Sequence, residues 1–181
     1  MKLVIGLTGA IGSGKTAVSD HLRSRYGAKQ LRFSQILMDV LDRLYLPKDR
    51  KNLQTLGIIL RESFGDDVIV NAFRKDLEGC GADVIVVDGI RYMNEVELLK
   101  TFGNNVLFYI DAPAEIRYRR TVARAEKGEA GASFKDFLKA ESRETEKQLP
   151  DVKKAADHVI ENTGSVKELF SRIDAAIDER L

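Results

Sequence analysis

The chain has 181 residues, 44% of them hydrophobic, which is enough for one sizeable core and too short to predict several domains. Its 29 basic and 28 acidic residues nearly cancel, so the surface offers no strong field for nucleic acid or an anionic membrane. A single cysteine, Cys80, excludes a framework of internal disulfides. The apolar run Leu3–Leu7 is too short for a signal peptide or membrane span, so we expect a soluble cytoplasmic protein without nucleic-acid or membrane partners.

Five short runs predict the strands of a parallel sheet. Three of them are continuously apolar and bounded by Gly or Asp, a pattern typical of strands covered on both faces. The other two are weaker: one follows the stop signal at Gly27 and the other lies near the end of the chain. In chain order the predicted strands are Leu3–Leu7, Lys29–Arg32, Val84–Val87, Val106–Ile110 and His158–Ile160.

Helical patterns occupy the intervals between these strands. The predicted helices are Lys15–Tyr26, Gln35–Tyr45, Lys51–Phe64, Asp67–Leu77, Asn94–Phe102, Ala114–Glu126, Phe134–Gln148 and Val166–Leu181. Two of the helix starts carry capping pairs, because Ser133 and Ser165 each precede an acidic residue by three positions. The alternation of strands and helices predicts a three-layer α/β/α fold, with a five-stranded parallel sheet and ligands at the carboxyl ends of the strands.

The most specific motif follows the first strand. Residues 9–16 read Gly-Ala-Ile-Gly-Ser-Gly-Lys-Thr and match the phosphate-binding loop G-x-x-x-x-G-K-[ST] in full, between a strand and a helix. The loop turns backbone N–H groups toward phosphate oxygens, and the helix adds its positive end. Lys15 is predicted as a catalytic cation at the β and γ phosphates of ATP, and Thr16 as a Mg²⁺ ligand. The predicted ATP-binding residues of this segment are Gly9, Ala10, Ile11, Gly12, Ser13, Gly14, Lys15, Thr16 and Ala17.

A second group of candidates follows the strand Val84–Val87. Asp88 stands at its end, where a carboxylate beside a phosphate-binding loop can hold Mg²⁺ directly or through water. Three residues later, Arg91 is expected at the same edge, since a guanidinium can grip a phosphate with two parallel hydrogen bonds. A turn or capping role for Asp88 and a solvated surface position for Arg91 are the structural alternatives.

The motif and the alternation together predict a single P-loop kinase domain over residues 1–181. Helical patterns inserted between the second and third strands, at about 34–78, are expected to cover a phosphoryl acceptor. The segment 127–133 is the most loop-like part of the chain, small and polar between basic helices, and predicts a mobile lid over about 125–143.

The order of motifs resembles the nucleoside-monophosphate kinases. The run from Asp88 to Arg91, Asp-Gly-Ile-Arg, is similar to that family's Asp-Gly-Phe-Pro-Arg, whose arginine holds the acceptor phosphate. Arg120 and Arg124 resemble the arginine pair entering the family's lid, and Arg143 lies where the helix leaving the lid would return an arginine toward the transferring phosphate. The resemblance therefore implies catalytic roles for these three arginines. It also places Asn162, after the last strand, in the loop near the adenine.

Two resemblances bear on the acceptor. The start of the chain is similar to dephospho-coenzyme A kinases, which phosphorylate a hydroxyl and place an acid at the end of the second strand, where this chain has Arg32. Asp39 lies more than a helical turn further on. The run after Val87, Asp-Gly-Ile-Arg-Tyr-Met-Asn-Glu, resembles deoxynucleoside monophosphate kinases of the phage type. An ionised phosphate acceptor needs cations instead of a base, so Arg32, Arg61 and Arg91, together with Asp88, are the predicted acceptor-binding residues.

The sequence therefore predicts transfer from Mg-ATP to a nucleoside or deoxynucleoside monophosphate, by a monomer or homodimer that needs only a small-molecule acceptor. Two alternatives stay open: transfer to the ribose hydroxyl of dephospho-coenzyme A, and a nucleotide sensor without catalysis. A GTPase is disfavoured because no Asn-Lys-x-Asp run follows Ile110 or Ile160. His21 and His158 are isolated and do not predict a transition-metal site.

Overall fold

The computed structural model describes residues 2–124, 133–141 and 147–181. Within these ranges it contains a parallel sheet whose strands are, in chain order, β1 Leu3–Thr8, β2 Lys29–Leu31, β3 Val84–Ile90, β4 Asn105–Asp111 and β5 His158–Glu161. Their spatial order is β2-β3-β1-β4-β5. All neighbouring strands run parallel, so their carboxyl ends meet at one edge of the sheet.

Helices connect the strands and cover both faces of the sheet. In chain order they are α1 Lys15–Tyr26, α2 Phe33–Arg43, α3 Arg50–Phe64, α4 Val68–Gly79, α5 Met93–Lys100, α6 Ala114–Arg124, α7 Phe134–Glu141, α8 Leu149–Lys154 and α9 Val166–Asp178. In the described part of the chain, α2, α3 and α4 all lie between β2 and β3.

Two apolar layers enclose the sheet, because successive strand residues point to opposite faces. On one face Leu3, Ile5 and Leu7 of β1 pack with α1 and α9, through side chains such as Leu22 and Ile173. On the other face the alternate residues of the strands pack with α2, α4, α5 and α8. The predicted three-layer α/β/α fold with a five-stranded parallel sheet is therefore confirmed.

The five predicted strands are all present, with ends that differ by up to three residues. The prediction of one helix over Phe134–Gln148 is wrong at its end, because Lys147 and Gln148 form a turn. The six-residue α8 that follows was not predicted; Pro150 lies in its first turn, where the missing N–H is tolerated. The two predicted caps are present: the Ser133 and Ser165 hydroxyls each accept the N–H of the residue three positions later.

Of the predicted lid, residues 125–132 and 142–143 lie outside the described residues. No helix in the described ranges combines the length and apolarity that a membrane crossing requires.

Candidate functional site

The loop between β1 and α1 has the backbone that its glycines predict. Gly9, Gly12 and Gly14 have φ angles of 134°, 77° and 113°, in the region that side chains disfavour. A Cβ at Gly12 would lie 2.5 Å from the Arg117 carbonyl oxygen, and one at Gly14 would collide with the Asn162 amide. The loop therefore needs glycine both for its conformation and for its contacts with neighbouring elements.

Lys15 lies over this loop at the start of α1. Its Nζ donates hydrogen bonds to the carbonyl oxygens of Gly9 at 2.6 Å and Ala10 at 3.0 Å. Thr16, the next residue, is exposed. The Ser13 hydroxyl is buried and has no hydrogen-bond partner among the described residues, an unsatisfied group of the kind that a polar ligand can complete. The loop thus combines a cation, an unsatisfied hydroxyl and the N-terminus of a twelve-residue helix, three features that suit a phosphate chain.

Three side chains fasten the loop from the β4–β5 side of the sheet. Arg117, 8% exposed, donates from Nη1 to the Ile11 carbonyl at 3.2 Å and from Nε to the Ala112 carbonyl at 2.8 Å. Asn162 donates from Nδ2 to the Ser13 carbonyl at 2.8 Å. Arg120 joins them, with Nη2 2.9 Å from the Asn162 carbonyl oxygen and Nη1 3.4 Å from that of Ser13.

The strand β3 brings Asp88 next to the loop, since Asp88 is in register with Leu7 of β1. Its Oδ2 accepts hydrogen bonds from Nε and Nη2 of Arg32, at 3.0 and 2.9 Å, and from Nε2 of Gln30 at 2.8 Å. Arg32 follows β2, so the ends of three adjacent strands converge here. The predicted acceptor cation Arg32 and the predicted Mg²⁺ ligand Asp88 are therefore direct partners.

A cluster of charged side chains lies beyond the end of β3. The Nη1 atom of Arg91 is buried. Burial lowers the pKa of Arg91, while the charges of Glu95 and Asp88 oppose this and the charge of Arg50 reinforces it. Arg61 of α3 places its guanidinium 4.5 Å from the centre of the Tyr92 ring and donates to the Gly57 carbonyl at 3.1 Å. The structure thus brings Arg61 and Arg91 into one electrostatic cluster.

Glu95 belongs to this cluster, and the sequence reasoning did not single it out. It is 4% exposed, and its Oε2 accepts the N–H groups of Arg91 at 2.7 Å and Tyr92 at 3.2 Å. Burial raises the pKa of Glu95 to about 7, against the effect of these N–H groups and of the Arg61 and Arg91 charges. The position of Glu95 in the first turn of a helix was an available signal, because a glutamate there can accept the free N–H groups at the helix start.

Three predicted site residues remain, and the structure describes two of them. Ala17 lies in the first turn of α1 beside Lys15 and Thr16, as the motif requires. Arg124 is the last residue of α6, whereas Arg143 lies outside the described residues.

In the part of the chain that the structure describes, the site has no cluster of protein ligands for a metal. Among the described residues there is no group of three or more His, Cys, Asp or Glu side chains placed to hold an ion. One carboxylate and one hydroxyl, Asp88 and Thr16, fit Mg²⁺, which commonly takes its other ligands from water and nucleotide phosphates. The donor set therefore fits Mg-ATP and gives no support for a stand-alone metal centre.

The loop and sheet order define the class of this protein as a P-loop protein with a kinase-type fold. Solved structures with the same fold include TT1252 from Thermus thermophilus, with a TM-score of 0.62, 23% identity and coverage of 99% of this chain and 98% of that one. The shikimate kinase from Bacteroides thetaiotaomicron has a TM-score of 0.65 and 13% identity over 97% and 98% of the two chains.

The chain belongs to the AAA domain family, whose profile matches residues 5–149, and to the UPF0200 proteins. A UPF0200 protein of Staphylothermus marinus is 30% identical over 173 residues, which cover 94% of this chain and 89% of the relative. A UPF0200 protein of Saccharolobus islandicus is 29% identical over 182 residues, with coverage of 98% and 94%.

Proposed function

We propose that the protein transfers the γ-phosphoryl group of Mg-ATP to a nucleoside or deoxynucleoside monophosphate. The observation that carries the proposal is the position of two candidate anion sites at the same edge of the sheet. The glycine loop with Lys15 is one, and the cluster of Arg61 and Arg91 is the other. Asp88 lies near the end of β3, the strand between β1 and β2. The glycine loop follows β1 on one side of Asp88, and Arg32 follows β2 on the other.

On the donor side, the glycine loop would hold the triphosphate of ATP. Lys15 would exchange its bonds to the Gly9 and Ala10 carbonyls for phosphate oxygens, and Thr16 with Asp88 would hold Mg²⁺. Magnesium neutralises charge on the transferring phosphate. Arg117, Arg120 and Asn162 would keep the loop rigid, because they bind its carbonyl oxygens and leave its N–H groups to the nucleotide.

On the acceptor side, the phosphate of the monophosphate would bind to Arg61 and Arg91. A monophosphate is already ionised near neutral pH, so it needs positioning and charge compensation instead of a general base. Arg32 is held by Asp88, which presents it at the border between the two sites. Arg120, Arg124 and Arg143 keep their predicted catalytic role, as cations that closure of a lid would bring to the transition state.

A specific observation favours a second candidate, transfer to a hydroxyl. The sequence has no acid at the end of β2, but β2 and β3 are neighbours, and Asp88 of β3 binds the Arg32 side chain directly. A carboxylate is therefore within reach of the position where such kinases carry their base. This weakens the argument against a hydroxyl acceptor and makes dephospho-coenzyme A a necessary member of any acceptor panel.

The proposal is tested by ADP release from Mg-ATP with a panel of nucleoside and deoxynucleoside monophosphates, dephospho-coenzyme A and a control without acceptor. We expect stimulation by at least one monophosphate. Stimulation by dephospho-coenzyme A alone would select the hydroxyl candidate, and a rate that no acceptor changes would favour a nucleotide sensor.

A variant links this activity to the loop. Lys15→Ala should reduce acceptor-stimulated turnover at least a hundredfold, because the cation facing the β and γ phosphate oxygens is lost. Lys29→Ala is the matched control, since Lys29 lies in the edge strand β2 and its side chain is exposed. Near-normal turnover in Lys15→Ala would overturn the assignment of the loop as the donor site.

A further inference from the structure

Glu95 is unusually buried for a residue that caps a helix. It is the third residue of α5, and its carboxylate binds the two backbone N–H groups that directly follow β3, those of Arg91 and Tyr92. A cap of this kind does not require burial. Glu168, the third residue of α9, likewise accepts the N–H of the residue before its helix, Ser165, and Glu168 is exposed.

Burying a carboxylate is unfavourable unless other groups compensate its charge. Glu95 is 4% exposed, and the charges that favour its ionised form come from Arg61 of α3 and Arg91. The charge of Arg50, at the start of α3, lowers the pKa of Arg91, and the charge of Asp88 raises it. The cluster thus combines groups from α3, the end of β3 and α5.

The cap determines where both candidate phosphate ligands point. Arg91 is fixed directly, because its own N–H donates to Glu95 at 2.7 Å. Arg61 is fixed through Tyr92, because its guanidinium lies 4.5 Å from the centre of the Tyr92 ring and the Tyr92 N–H is bound by the same Oε2. One carboxylate oxygen therefore holds the backbone that orients two guanidinium groups from different elements.

The charge of the cluster also suits a phosphomonoester. Arg32 offsets the charge of Asp88 through their ion pair. Arg50, Arg61 and Arg91 carry three further positive charges, and an ionised Glu95 leaves a net charge of about +2, which matches a phosphate group near its second ionisation. A carboxylate ligand or a neutral acceptor would leave this positive charge uncompensated. The cluster is thus suited to a dianionic phosphate.

We propose that Glu95 is a positioning residue for the acceptor, which holds the Arg91–Tyr92 backbone so that Arg61 and Arg91 converge on the acceptor's phosphomonoester group. The proposal rests on the proposed function for the identity of the acceptor, but its geometry concerns a phosphate site alone. Glu95 does not contact the phosphate in this proposal; it acts through the two arginines.

Two conservative substitutions separate the reach of the side chain from its charge. Glu95→Gln keeps the length and an oxygen that can accept both N–H groups, but removes the charge. Glu95→Asp keeps the charge but is one methylene shorter, so it cannot bind both N–H groups from the same backbone position. Glu168→Asp makes the matched change in the exposed cap of α9 and controls for the loss of a cap as such.

The experiment measures binding of inorganic phosphate to the full chain by calorimetry in the presence of saturating Mg-ADP, which is intended to occupy the glycine loop. We expect Glu95→Asp to weaken phosphate binding about tenfold, and Glu95→Gln and Glu168→Asp to change it less than threefold. Arg91→Ala should also weaken binding, and adding Glu95→Asp to Arg91→Ala should weaken it less than threefold further, because only the effect of the carboxylate through Arg61 remains.

Four results would overturn the proposal: no phosphate binding by the unmodified chain, binding unchanged by Glu95→Asp or by Arg91→Ala, equal losses in Glu95→Gln and Glu95→Asp, or full additivity in the double variant. The readout is independent of turnover. A chain that binds phosphate as expected but shows no acceptor-stimulated ADP release would therefore refute the proposed function and leave the phosphate site standing.

Discussion

Glu95 makes a measurable contribution to the pH dependence of stability. Its pKa rises from 4.5 to about 7 in the folded chain because burial disfavours the ionised form. The folded state therefore binds a proton more tightly than the unfolded state, and stability falls as the pH rises from about 5 to about 7. At about 1.4 kcal/mol per pH unit, the loss between pH 5 and pH 8 is about 2–3 kcal/mol.

Glu95→Gln should remove this component, since its amide is neutral at every pH in the range. We expect the free energy of unfolding of Glu95→Gln, relative to that of the unmodified chain, to rise by about 2–3 kcal/mol between pH 5 and pH 8. Urea unfolding at the two pH values measures the difference, and all other titrating groups cancel in it. A difference that does not change with pH would show that Glu95 titrates normally.

The residues of the site differ in how far they could be predicted. Lys15 and Thr16 belong to a local motif, so eight consecutive residues are sufficient to identify their role. Glu95 has the sequence context of an ordinary acidic residue in the first turn of a helix, and it becomes buried only when α5 packs against β1, β4, α4 and α8. Nothing in its local sequence distinguishes Arg117, but it is buried against the glycine loop, more than a hundred positions earlier in the chain. Such contacts depend on tertiary packing, which periodicity does not reveal.

At the scale of elements, the turn between β1 and α1 should tolerate no side chain at Gly12. Its φ of 77° is unfavourable for alanine, and the added Cβ would lie 2.5 Å from the Arg117 carbonyl oxygen and 2.9 Å from the Thr121 hydroxyl. We expect Gly12→Ala to lower the free energy of unfolding by about 1–3 kcal/mol and to raise the KM for ATP at least tenfold. Chemical unfolding and steady-state kinetics measure the two effects.

Gly79 provides the control for this prediction. It is the last residue of α4, its φ is not positive, and an added Cβ would meet nothing within 4 Å. Gly79→Ala should therefore be neutral or stabilise the chain by up to about 1 kcal/mol, because it restricts the unfolded state. Equal effects of the two substitutions would contradict this explanation, because they would show that the position of Gly12 in the loop makes no difference.

Helices and strands were largely predictable where they are long and where neighbouring residues mark their ends. Helix α1 agrees with its prediction at both ends, because a glycine precedes it and Gly27 ends it in the left-handed conformation. The short helix α8 was missed, since its six residues are fewer than two turns and carry no clear apolar period. Its Val152 is fully buried against the sheet, so tertiary packing stabilises a segment that propensity alone does not.

At the scale of the whole molecule, the nucleotide site depends on both ends of the chain. Asn162 lies 149 positions after Ser13, yet its amide donates to the Ser13 carbonyl at 2.8 Å, and its own N–H donates to the Asp111 carbonyl at 2.7 Å. The strand β5 therefore carries part of the support for a loop that follows β1. Nucleotide binding should then report on the correct packing of the C-terminal part of the chain.

Mg-ADP at 100 times its Kd should stabilise the unmodified chain by about 2.7 kcal/mol, which corresponds to a rise in Tm of about 5–10 °C. Asn162→Ala removes the bond to the Ser13 carbonyl and the acceptor of one Arg120 bond, and we expect about tenfold weaker Mg-ADP binding. At the same Mg-ADP concentration the stabilisation should fall by about 1.4 kcal/mol, and the rise in Tm by about 3–5 °C. Thermal unfolding with and without Mg-ADP measures both.

Asn104→Ala is the matched control, because the Asn104 amide also bridges distant parts of the chain, with a bond to the Arg180 carbonyl at 3.2 Å, but does not contact the loop. It should lower Tm without reducing the rise that Mg-ADP produces. The two variants thus separate general stability from support of the loop. If both reduced the Mg-ADP effect equally, β5 would act on the nucleotide site through global stability, and the direct bond from Asn162 to Ser13 would lose its assigned role.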